Sequence, residues 1–177
     1  MQARYHVLSG SIAASLLLPI LGINSIFFFA SSVLIDGDHY LDYIYRNGFK
    51  DFSIKGMFNF HRRLFPMESA RNFLAFNVAH TAEALLLVYA AGAISGWVWL
   101  QAVFWGMLFH IVSDLVYLYH QGKLFRRPIS IIEYIIRWQR MKRHGMHPEI
   151  PYQSALRSIS VMPSLAEDKE GQANQQD

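Results

Sequence analysis

From Val7 to Ile35 no residue carries a formal charge, and none does from Ala84 to Phe109. Uncharged stretches of that length read as membrane segments rather than as the alternating faces of a soluble helix. The first divides itself at Pro19 to Asn24, where LPILGIN brings a proline, a glycine and an asparagine together. It therefore predicts two helices, Tyr5 to Leu18 and Ser25 to His39, folded back on one another. The second apolar region, Asn72 to His120, turns at Gly92 to Gly96 and predicts a second hairpin. Between them Asp42 to Arg71 is polar, a connection long enough to carry short helices of its own. After Gln121-Gly122-Lys123, Pro128 opens a further helix in which Ser130 and Glu133 are spaced as a capping box. Ile131, Ile132, Ile135, Ile136 and Trp138 form its apolar side, while Arg137, Arg140, Lys142 and Arg143 crowd its end. Such a helix lies on a membrane surface rather than crossing it. The expected fold class is all-α: an integral membrane bundle of two helical hairpins plus a basic interfacial helix. Residues 1–147 would form the embedded domain, and 148–177 a polar, disordered tail.

Charge fixes an expected orientation. The net charge is +3, and the basic residues gather at the N-terminus, in the middle connection and after His120, with none at the two hairpin tips. Positive charge marks the cytoplasmic side, so both termini are expected there, with a multi-pass chain between them and membrane lipids as partners. The same distribution makes nucleic acid an unexpected partner. There are no cysteines, which excludes disulfides and thiolate metal ligands.

Against this apolar background the acids and histidines stand out. His80 and Glu83 are three apart, His110 and Asp114 four apart, spacings that share one helical face. Counted from Ser95, His80 lies 15 residues before and His110 15 after, so an antiparallel hairpin sets both imidazoles at one depth. About Leu21, His6 and Asp36 are matched in the same way. Asp36-Gly37-Asp38-His39 is the densest polar cluster in the chain. If the helix continues, Asp36 and His39 share a face; if it breaks at Gly37, all three polar side chains can turn inward.

Imidazoles and carboxylates converging from facing helices are the ligands of bundle metal sites, and the mixture suits zinc, iron or manganese better than calcium or magnesium. Carboxylates held at one level in a membrane repel unless a cation sits among them. His6, Asp36, His39, His80, Glu83, His110 and Asp114 are therefore the candidate ligands of one or more divalent ions, zinc first. Asp38 is a further ligand or an acceptor that orients an imidazole. Arg62 and Arg63 are placed to steer a phosphate, the group arginine grips best. The bland alternative is a scaffold in which the polar cluster only pins the hairpins together. A transporter of metal ions or protons would need polar stations across the whole membrane, and the far helix halves offer few.

The order of these motifs resembles the predicted membrane-bound metal-dependent hydrolases, the YdjM-like family associated with LexA regulation. The matching residues are His6, Asp36-Gly37-Asp38-His39, His61-Arg62, His80-Thr81 and Gly106-Met-Leu-Phe-His110-Ile-Val-Ser-Asp114. Ile35 stands where the family usually has proline, Ala82 replaces a serine, and 18 residues separate His61 from His80. The helical His-x-x-x-Asp is also similar to the zinc-dependent phospholipase C class. The resemblance implies hydrolase chemistry on a phosphoester or lipid headgroup at a bacterial inner membrane. It makes Asp38, His61 and Arg62 the candidates for a catalytic part.

Overall fold

The computed structural model describes residues 3–124 and 127–159, and among these every regular element is helical. The chain divides into two compact units: 1–38 with 75–136, and 39–74 with the residues from 137 onward.

In the first unit α1 (Ala3–Leu21) carries Pro19 in its last turn and gives way to a 3-10 turn at Gly22–Asn24. The chain returns as α2 (Ser25–Leu34), which packs along α1, so the hairpin turns where the Pro-Gly-Asn cluster lies. The expected helix to His39 is broken: Ile35 and Asp36 form a turn, and α3 (Gly37–Arg46) starts afresh beyond it. The second hairpin is α5 (Ala82–Ser95) and α6 (Val98–His120), with α4 (Ile54–Leu64) lying earlier in the chain. Gly96 takes the left-handed conformation at φ 69° and returns its N–H to the Gly92 carbonyl at 3.1 Å. That is the helix stop glycine supplies most cheaply.

Two stretches, one within Arg4–Arg46 and the other α6, are long and apolar enough to cross a membrane. At 1.5 Å per residue α6 reaches about 34 Å and α1 about 28 Å, close to a hydrocarbon core of about 30 Å. The returning arms α2 and α5 reach only about 15 Å and about 21 Å, so each hairpin has one long and one short arm. Leu16, Ile20, Leu87 and Ile94 are exposed on these helices, while His6, Ser32, His80, His110 and Asp114 are buried. The helices α2 and α6 touch at Gly106, where a Cβ would strike the Phe28 carbonyl oxygen and the Ser31 hydroxyl.

The second unit has an aromatic core of Tyr43, Phe60, Phe73 and Tyr152, closed by Leu64 and Leu74. Ser53 caps α4 by accepting from the Gly56 N–H at 2.9 Å. The expected disordered tail is ordered over 150–159, where a helix buries Tyr152 and Ala155. The Tyr152 hydroxyl donates to the Leu74 carbonyl at 2.7 Å, and the Arg46 guanidinium lies 3.5 Å above its ring. The rest of the tail, 160–177, lies outside the described residues. The basic helix is α7 (Ile131–Arg143), preceded by Ser130, whose hydroxyl accepts from the Glu133 N–H at 3.3 Å.

Beyond α7, Lys142 pairs with Glu149, and the ammonium holds that carboxyl down to about 2 from its ordinary 4.5. A depressed carboxyl contributes stability that is complete above the unfolded value and is lost as pH falls through the folded one. A carboxyl titration by NMR should therefore place the Glu149 midpoint near 2, and K142M should raise it toward 4.5.

Candidate metal centre

His80 closes a short 3-10 turn, Val78–His80, and Thr81 caps α5 by accepting from the Ala84 N–H at 3.3 Å. His110 and Asp114 face inward from the middle of α6, and Asp36 sits in the break between α2 and α3. One ligand atom from each of Asp36, His80, His110 and Asp114 falls within 4.8 Å of all the others, so the group can hold a metal ion. His110 is 0% exposed and Asp36, the most open of the four, is 29% exposed by side chain.

Three of these atoms form a nearly regular triangle. His80 Nε2 and His110 Nε2 are 3.2 Å apart, and Asp36 Oδ1 is 3.4 Å from the first and 3.3 Å from the second. Ligand atoms bound at about 2.0–2.1 Å to one tetrahedral ion stand about 3.3 Å apart. Asp114 Oδ2 lies 3.7 Å from His110 Nε2.

The hydrogen bonds behind the imidazoles decide what they present. His110 Nδ1 lies 2.7 Å from the Ser32 carbonyl oxygen, which only accepts, so Nδ1 carries the proton. His80 Nδ1 lies 2.9 Å from Asp38 Oδ2, which fixes its proton likewise. In the neutral rings both Nε2 atoms then turn lone pairs toward each other and toward a carboxylate oxygen. Carbonyl or carboxylate behind histidine is the arrangement that orients metal ligands. Asp38 is itself anchored, accepting from the Ala79 N–H at 3.2 Å and the Asn77 amide at 3.3 Å. Asp38→Asn should lower metal affinity about 10–100-fold, the usual effect of losing such a partner, and a chelator competition titration reads it.

His6 is also at the centre. Its ring stacks on His110 with centroids 3.9 Å apart, and Nε2 is 3.1 Å from Asp114 Oδ1. The approach is off the line of a hydrogen bond, so a buried imidazole nitrogen is left without one. An orphaned donor atom of this kind suits a site built for a cation.

Other expected ligands go elsewhere. Glu83 does not share a helical face with His80, because the helix begins after that histidine. Its carboxylate accepts from the Ile131 N–H at 3.0 Å and the Ser130 hydroxyl at 2.8 Å, capping α7. Those bonds hold the Glu83 carboxyl below its ordinary range, the Ile131 N–H acting most strongly. His39 belongs to the second unit with His61, whose Nε2 lies 3.2 Å from the His39 carbonyl oxygen. Arg62, in that unit too, donates to Asn59 at 3.0 Å. One residue had no signal beyond a doubled arginine before proline: Arg127, whose guanidinium donates to Asp114 Oδ2 at 3.0 Å.

A cleft reaches the centre, lined by His80, Asp114 and Arg127 together with the apolar Ile111, Leu115, Leu118, Pro128 and Ile129. Its free space of about 20 Å³ is room for about one water. Comparison of the chain with protein-family models, with curated proteins and with solved structures finds no match.

Proposed function

We propose that this chain is a metal-dependent hydrolase of the membrane, using one zinc ion held by Asp36, His80, His110 and Asp114. The observation that carries the reading is the triangle of ligand atoms, two imidazole nitrogens and a carboxylate oxygen at 3.2–3.4 Å. With both imidazoles neutral, three such atoms repel one another unless a cation lies between them. Zinc is preferred because nitrogen and oxygen ligands at this spacing match its tetrahedral shell. When bound, the ion would polarise a water and the scissile group, bringing the water's pKa toward neutrality.

The chain's own residues do the positioning. The Ser32 carbonyl and Asp38 hold the imidazoles in the tautomer that ligates, and the cleft beside His80 and Asp114 has room for a water at the centre. Ester and phosphoester substrates both fit this chemistry, and the resemblance to the YdjM-like hydrolases favours the phosphoester.

Membrane insertion is supported by the exposed apolar residues on the helices of the first unit, beside the ionisable side chains buried within it. The basic segments favour a centre opening toward the cytoplasm. The test is metal analysis of detergent-purified full-length protein, followed by assay on soluble and lipid phosphoesters. One zinc per chain, with turnover that a chelator abolishes, is the expected result. Native protein free of metal, melting identically with and without chelator, would make the cluster a structural polar network instead.

A further inference from the structure

In the second unit α4 is apolar on two opposite sides. Gly56, Phe60 and Leu64, spaced by four, are buried, while Ile54, Phe58 and Phe65 run as i, i+4 and i+11 along the other side and are each more than half exposed. The loop before α4 adds Phe49 and Phe52, also more than half exposed. A helix already packed through one side and still bare and apolar on the other marks a contact surface. The loop is fixed in this arrangement. The Tyr43 hydroxyl donates to the Asp51 carboxylate, which also accepts from the Ser53 N–H at 2.8 Å. The Asn47 amide donates to the Asp51 carbonyl at 2.7 Å, and the Tyr40 hydroxyl to the Phe52 carbonyl at 2.7 Å. Phe49 is held at φ 60°, a left-handed conformation that a bulky residue rarely adopts. The exposed charges of this segment are all positive. Lys50, Lys55 and Arg62 are exposed, whereas Asp51, the one acid from 48 to 66, is half-buried and bonded to Tyr43 and Ser53. Lys55 and Arg62 follow Ile54 by one and by eight positions, which sets them along the border of the bare stripe.

We propose that α4 and the loop 47–53 dock on an anionic lipid leaflet, with Phe49, Phe52, Phe58 and Phe65 in the headgroup boundary and Lys50, Lys55 and Arg62 at the lipid phosphates. A bare apolar stripe bordered by cations is the pattern of a helix that lies in the interface plane. Lysine and arginine suit that border, because their stems run along apolar surface while the charge stays at the phosphate level. Three exposed cations with no exposed acid among them select an anionic leaflet over a zwitterionic one. A bilayer is favoured over a protein partner by the chain itself, which enters this loop directly from a stretch, ending at Arg46, that is apolar enough to hold a membrane span. The docking needs no metal, and shares with the proposed function only the presence of a bilayer.

The chain has no cysteine, so one introduced thiol takes a fluorophore at a single place. The test places an environment-sensitive label on F58C, and separately on F52C, in the full-length chain with vesicles of phosphatidylcholine, with or without phosphatidylglycerol. With phosphatidylglycerol present both labels should shift to the blue and be quenched by nitroxide-bearing lipids; in phosphatidylcholine alone the quenching should fall. Adding K50Q or K55Q, both at exposed positions, should lower the ratio of docked to free label about fivefold each, the contribution of one cation near a charged leaflet. A label on L87C, on an exposed position of α5, reports the first unit separately. If that label is quenched by the lipid nitroxides and those on F58C and F52C are not, the docking face is overturned while hairpin insertion stands. Quenching at F58C and F52C but not at L87C keeps the docking face and removes the insertion. Labels on F58C and F52C that iodide cannot reach and lipid nitroxides cannot quench would mark a protein contact and overturn the proposal, as would equal quenching with and without phosphatidylglycerol.

Discussion

His110→Ala should strip the protein of its metal, lowering affinity by more than about 100-fold. The bound is set by the next tier of residues, since losing only an orienting partner already costs about 10–100-fold. His110 gives more than a ligand atom: it stacks on His6, stands beside His80 and Asp36, and ties α6 to the Ser32 carbonyl of α2. The loss should also appear in stability, because an ion that binds only the folded state at 100 times its Kd adds about 2.7 kcal/mol. Thermal melts with zinc or with a chelator should differ for the wild type and coincide for the variant. A variant that still melts higher with zinc would place the metal elsewhere.

Gly106→Ala should be the most damaging small change away from the ligands. The added Cβ would meet the Phe28 carbonyl oxygen, a backbone atom in the middle of α2 that cannot turn aside. Overpacking of this kind typically costs about 1–3 kcal/mol. Gly10→Ala is the control: its Cβ would meet the Ser32 hydroxyl at 2.5 Å, the movable end of a side chain. The first substitution should lower the melting temperature and also weaken zinc binding, because α2 carries Ser32 and leads directly into Asp36. The second should cost less and leave binding near the wild-type value. Equal effects would show that α2 and α6 have room to separate.

The hairpins were legible because turn formers interrupt two long apolar runs at only two places, and counting outward from them pairs His80 with His110. The break at Ile35 and Asp36 was left open by the same pattern, since Ile35 is no turn former and Asp36 and Gly37 suit either continuation. Glu83 was misplaced for a reason the sequence already contained. A spacing of three implies a shared face only inside one helix, and Thr81 is a better cap than an interior residue. The second unit was hidden because its core is assembled from aromatics scattered among charges, so no run or period marks it. Arg127 was hidden because a loop residue has no periodicity, and its partner Asp114 is 13 positions away.

Asp36 and His110 are 74 residues apart in the chain, although their ligand atoms are 3.3 Å apart in the fold. At roughly 5–20 residues per second of synthesis, the acid leaves the ribosome roughly 4–15 s ahead of the imidazole it will face. The first hairpin must therefore wait, its polar end at the surface, until the second arrives. Metal loading is then a late event in biogenesis, and a ribosome stalled before α6 should yield a chain unable to take up zinc.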